Sequence, residues 1–295
     1  ASNNTAVGSA SLVTNTTGSY NTGLGNSALY ANTTGADNTA VGYQALDNNT
    51  TAGLNTAVGR HALGANTTGT ANVSVGAYAL DSNTTANNNI AIGNHALGLN
   101  TTGTENVAVG ANAGDAFTTG SYNIAMGADA LGSDTLGSRS IAIGRRTLHA
   151  QNFTSATDAY NTAVGFEAGN DITTGLKNTL IGGLAGDALT DADFNVALGY
   201  NTLSSDTLGS QTVAIGSGAL YTQNFTSATA SNNTAVGHDA GNKVTTGKQN
   251  TFIGGLAGDA TDDGVDCAAV GYLALSANCG TGNTAMGSHS LMPAT

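Results

Sequence analysis

Glycine returns at every seventeenth position along almost the whole chain. It stands at Gly8, Gly25, Gly42, Gly59, Gly76, Gly93, Gly110, Gly127 and Gly144, then at Gly165, Gly182, Gly199, Gly216, Gly237, Gly254, Gly271 and Gly287. Two steps are longer by four positions and the last is shorter by one, so seventeen copies account for nearly the whole sequence. Positions below are counted from this glycine. At −1 the residue is always aliphatic or Met (Val7, Leu24, Val41, Ile253, Val270, Met286), at −3 it is Thr, Val, Ile or once Ala, and at −2 it is usually Ala. Such alternation with β-branched residues predicts a short strand in every copy. Asn occupies −4 in all copies except those with Ser140, Thr212 and Cys267, which predicts a hydrogen-bonded Asn ladder between stacked copies. A glycine in every copy implies a backbone bend, or an approach too close for a Cβ.

A second apolar position lies at +4. It is Leu in most copies (Leu12, Leu46, Leu63, Leu220 among them) and Gly in five: Gly114, Gly169, Gly186, Gly241 and Gly258. In four of those five the residue at +7 becomes large and apolar: Phe117, Ile172, Leu189 and Val244. Close packing demands this kind of exchange, because a Leu-sized hole costs about 2–5 kcal/mol. The copy with Gly258 and Thr261 lacks the exchange and is expected to be loose. A polar turn follows, most often Asn-Thr-Thr-Gly (15–18, 32–35, 66–69, 100–103). Strand, bend, apolar anchor and turn within one period describe one coil of an all-β parallel β-solenoid. About seventeen coils at about 4.8 Å each make a rod of roughly 80 Å, here expected to be a single repeat domain over 1–295. The regular Ala and aliphatic columns leave one side apolar, so burial against identical copies is expected.

Composition narrows the function. Seven Lys and Arg against nineteen Asp and Glu give a net charge of −12, which disfavours nucleic acid and anionic membrane surfaces as partners. No apolar run reaches membrane-spanning length. Glu105 and Glu167 are the only glutamates, and neither a nucleophile elbow nor a His-Glu-x-x-His motif occurs, so an enzyme and a bound cofactor are not expected.

The core Asn55-Thr-Ala-Val-Gly59, or Asn89-Ile-Ala-Ile-Gly93, resembles the head repeats of YadA-type trimeric autotransporter adhesins. The longer unit Asn38-Thr-Ala-Val-Gly-Tyr-Gln-Ala-Leu46 with its Asn-Thr-Thr turn is similar to repeats of phage tail fibres. The resemblance covers nearly the whole chain. It implies a homotrimer of left-handed parallel β-rolls at a virion or cell surface, binding cell-surface receptors or glycans. The adhesin heads use a somewhat shorter repeat than this one, and no coiled-coil stalk, anchor or chaperone domain is recognised here.

Departures from regularity are the places to seek recognition. Coils up to residue 150 are regular, whereas 134–277 contains near-duplicate 72-residue blocks with insertions at 151–160 and 223–232. The insertions repeat Gln-Asn-Phe-Thr-Ser-Ala-Thr at 151–157 and 223–229. Asn152, Phe153, Thr154, Asn224, Phe225 and Thr226 are therefore candidate glycan contacts, each Phe either stacking on a sugar ring or folding back to plug the core edge. Asp187, Asp191, Asp193, Asp259, Asp262, Asp263 and Asp266 fall in equivalent turns, as calcium candidates or a solvated acidic surface. His61 and His95 share a column two coils apart, too far for one ion. Cys267 and Cys279 either close a short disulfide or remain thiols. Asn15-Thr-Thr and Asn152-Phe-Thr match the N-glycosylation pattern. Two other functions stay open: ice binding through the Asn-Thr-Thr columns, and a passive spacer.

Overall fold

The computed structural model describes residues 1–278 and 280–292. They form two compact units, one of residues 1–145 with 152–158, the other of 146–151 with 159 onward. Among the described residues there is no helix. The first unit holds nine three-residue strands, from Thr5–Val7 to Ile141–Ile143, and the second holds eight, from Thr162–Val164 to Thr284–Met286. Each is the −3 to −1 segment of one copy. Within a unit, consecutive strands pair in parallel and in the register of the repeat. Val41 faces Val58, and Val58 faces Val75. The chain is thus a parallel β-solenoid of about seventeen turns, each turn one period of the repeat.

The direction of the strand side chains follows from how thin each coil is. The Ala at −2 points inward and is fully buried (Ala40, Ala57, Ala91, Ala108), while the aliphatic residue at −1 and the residue at −3 point outward. Leu at +4 already occupies the interior (Leu29, Leu46, Leu63, Leu80, Leu97), leaving room for only a small side chain from the strand, Ala in most of these coils and Ser74 in one. Asn at +7 and at −4 complete the inner wall. Asn38 Nδ2 donates to Ala52 O at 2.9 Å, and its Oδ1 accepts from Asn55 N at 3.1 Å in the next coil. At +7, Asn66 Nδ2 donates to Asn49 Oδ1 at 3.0 Å and to Gly69 O of its own turn at 3.0 Å. Buried amides are thereby satisfied coil by coil. The residues that replace Asn at −4 still donate backbone N–H to the ladder, as Ser140 does to Asn123 Oδ1 and Cys267 to Asn250 Oδ1.

The repeated glycine meets both expectations. Gly42 has φ of 139°, and a Cβ there would lie 2.4 Å from Gly59 O of the adjoining coil. Non-glycine residues at −5, +2 and +4 also hold positive φ, as at Tyr20 (61°), His61 (55°) and Leu63 (53°). Nothing in the period-2 pattern announces that.

The filling rule holds, with one correction. Phe117, Ile172, Leu189 and Val244 are fully buried, and a Cβ on Gly114 would stand 2.8 Å from the Phe117 ring. The Gly258 coil is not loose. Phe252, at −2 in place of Ala, is fully buried and fills it: a Cβ on Gly258 would lie 2.6 Å from its ring, and one on Gly241 2.9 Å away. Leu180 does the same between Gly169 and Gly186. A large residue at −2 thus serves two Gly-bearing coils at once.

Candidate interaction surfaces

The insertions are anchored, not free. Phe153 and Phe225 are each only 5% exposed, so the core-plugging alternative is the one observed and neither ring offers a face for stacking on a sugar. A Cβ on Gly209 would stand 2.8 Å from the Phe225 ring. Two substitutions in the +7 column make the plug fit. Asp134 and Asp206 replace Asn and are fully buried. Asp206 Oδ1 accepts from Gly209 N at 3.0 Å and Phe225 N at 3.1 Å, while Gln223 Nε2 donates to Oδ2 at 2.6 Å. Asp134 Oδ1 likewise accepts from Gly137 N at 2.9 Å and Phe153 N at 3.4 Å. Gln223 and Gln151 continue inward, accepting from Asn233 and Asn161 at 2.8 Å. Burial raises the Asp206 pKa, and these hydrogen bonds oppose the rise. Around the plugs Asn152, Thr154, Asn224 and Thr226 remain exposed, with Asn152 and Asn224 accepting from Thr135 Oγ1 and Thr207 Oγ1.

A second surface runs along the strands. The −1 column is solvent-facing in both units, with Ile92 40% and Leu198 41% exposed, beside Thr, Val or Ile at −3. It is an uncharged ribbon two side chains wide, aliphatic or Met throughout at −1 and Thr in nine of the seventeen copies at −3. Positive charge is kept elsewhere. Arg60 sits over the rings of Tyr43 and Tyr78, the latter at 5.3 Å, Arg139 over Tyr122 at 4.9 Å and Lys177 over Phe194 at 5.0 Å, each tying neighbouring coils together. His61 and His95 belong to the same construction. Tyr78 stands between them in column +2, stacked on His61 at 5.4 Å and on His95 at 5.0 Å. Pairing the two His by sequence alone overlooks the Tyr of the intervening coil, although the column spacing identifies it.

The acidic turns do not converge. Asp191 accepts from Thr174 Oγ1 at 2.6 Å, Asp193 from Leu176 N at 2.7 Å, and Asp262 from Thr245 Oγ1. Asp187 Oδ1 is buried without a partner. Its pKa is pushed up to about 6, first by burial and then by Asp171 and Glu167. Among the described residues no three His, Cys, Asp or Glu side chains are grouped to hold a metal ion. Cys267 is buried, its Sγ 3.3 Å from Gly280 O; Cys279, and with it the pairing, lies outside the described residues. The Asn-Thr-Thr turns are committed to the fold. Asn32, Asn49, Asn66, Asn83 and Asn100 are buried ladder donors and have no amide free to carry a sugar. The first Thr of each turn donates to the next coil, as Thr33 Oγ1 does to Thr50 O at 3.0 Å. No family model, no curated protein and no solved structure matches this chain.

Proposed function

We propose that this chain is the shaft of an adhesive fibre, assembling as a homotrimer through the outward strand ribbon and displaying its turns and insertions to a cell-surface receptor or glycan. One observation carries the reading: the aliphatic −1 file is continued in coil after coil, and charge is excluded from it and from the −3 file beside it. A solvated face would be expected to carry Lys, Glu or Asp at some of these positions, and repeated aliphatic exposure marks a contact surface. The resemblance to trimeric adhesin and tail-fibre repeats adds the stoichiometry and the extracellular setting. Exposed hydroxyls and amides at Asn152, Thr154, Asn224 and Thr226 are the displayed groups, with the Phe residues as their anchors. Sedimentation equilibrium on the full chain tests the assembly: a species of three chains is expected, and a well-folded monomer at micromolar concentration would sink the reading. Ice binding loses support because the first Thr rank is spent on coil-to-coil hydrogen bonds. Thermal hysteresis is accordingly expected to be nil.

A further inference from the structure

The later of the two repeated blocks contains a groove of about 370 Å³ lined by Thr222, Lys243, Thr245, Ala260, Asp262 and Asn278. Its walls are the +6 and +8 columns of three successive coils, closed by Asn278 of the next, with Ala260 offering no side chain beyond a methyl. The position along the coil matters. These columns lie half a coil from the strand ribbon in either direction, so they stay open if the ribbon is covered by other chains.

Lys243 sets the chemistry. Of the seven cations in the chain, Arg60, Arg139 and Lys177 rest on aromatic rings and Arg146 pairs with Glu167 at 3.8 Å. Lys243 is exposed and has no ion pair among the described residues, although Asp262 lines the same groove. Around it stand groups suited to hydroxyls. Thr222 Oγ1 donates to Asn242 O and Val244 O, which leaves its lone pairs to accept. Thr245 donates to Asp262 Oδ1, which leaves the other carboxylate oxygen to accept, and the Asn278 amide both donates and accepts. The earlier block serves as an internal comparison. At the matching positions it has Ala150, Asp171, Thr190 and Asp206, so the lysine is replaced by a carboxylate and the Asp262 carboxylate by a hydroxyl.

We infer that this groove binds a carboxylate-bearing sugar, with Lys243 meeting the carboxylate and Thr222, Asp262 and Asn278 meeting ring hydroxyls. A cleft of this volume accommodates one monosaccharide unit, and a few convergent polar groups around one charge fix its orientation. Lysine is a compact, strongly hydrated point charge, so binding weakens with salt. The inference deepens the adhesive reading but concerns a single chain. A monomeric chain that binds the sugar leaves it standing, and a trimer that does not overturns it alone.

Saturation-transfer NMR on the full chain with D-glucuronate, D-glucose and acetate is the test. Transfer to glucuronate, and little to either control, is expected. Lys243→Gln should weaken glucuronate binding at least tenfold with an unchanged melting temperature, whereas Lys248→Gln, outside the groove, should leave it unaltered. Equal binding of glucose or of acetate, no binding of glucuronate, or full binding by Lys243→Gln would each overturn the assignment.

Discussion

Phe252 is the side chain on which two coils depend. It enters from −2, where regular coils carry Ala, and occupies the space that Gly241 and Gly258 leave empty. Truncation to Ala should cost about 3–5 kcal/mol, the range for a buried aromatic whose site collapses poorly. Restoring the regular solution should recover part of it: Gly258 has φ of 63°, close to the 53° at which Leu63 sits, so Leu is conformationally acceptable there. Thermal melts of Phe252→Ala and of Phe252→Ala with Gly258→Leu check this. A double variant no more stable than the single would break the filling rule. Asp187 makes a different residue-level case. Its carboxyl titrates near 6, above the unfolded value near 3.8, so the folded state disfavours the ionised form. Below about pH 4 both states are protonated and no penalty exists; the penalty grows between about pH 4 and 6 and is complete above. Asp187→Asn should therefore raise the melting temperature at pH 8, and the gain should shrink towards zero at pH 4.

At the scale of the element, each insertion is held by a small buried clamp, and the clamp decides whether the loop is ordered. Removing the carboxylate in Asp206→Ala leaves the amides of Gly209 and Phe225 without acceptors, at about 1–3 kcal/mol for each buried donor. Hydrogen exchange over 224–230 should accelerate strongly. In Asp206→Asn, which keeps Oδ1 for the two backbone amides but turns an NH2 towards Gln223 Nε2, the acceleration should be smaller than in Asp206→Ala; equal acceleration in both variants would remove the clamp. Much of this element was legible beforehand. Column spacing gave the strand register, the Asn ladder and the exchange between +4 and +7, because stacked coils force like positions into contact. Three things escaped. Which strand face is inward depends on how much room Leu at +4 leaves, a question of volume and not of alternation. The role of Leu180 and Phe252 required comparing a coil with both neighbours, since each fills space belonging to two. Positive φ at Leu and His is imposed by the closed path of the coil against a local preference of about 1–2 kcal/mol, which local residue types do not disclose. The insertion clamp was visible only as Asn-to-Asp and Asn-to-Gln changes at +7, readable once burial turns those changes into hydrogen-bond partners.

For the whole molecule, the division of labour is between a surface that carries the charged side chains and a ribbon with no charge at all. A net charge of −12 keeps copies apart unless an apolar contact outweighs the repulsion, and the ribbon is the contact available. Its size sets the terms. A three-residue strand is about 10 Å long, and nine of them at about 4.8 Å spacing cover about 430 Å² in the first unit, with slightly less for the eight of the second. Either face alone is about half of the roughly 800 Å² per partner of a standard stable interface. Association should therefore draw on both units, with neither sufficient. A lysine introduced into one ribbon, as Val58→Lys or Val236→Lys, should weaken the proposed trimer in sedimentation equilibrium without dissolving it at high concentration. The pair together should yield monomer. Because both side chains point outward from strands whose inward Ala is untouched, the melting temperature measured where the chain is monomeric should not fall. A single lysine that abolishes assembly would confine the contact to one unit, and a double variant that still forms trimers would place it off the ribbon altogether.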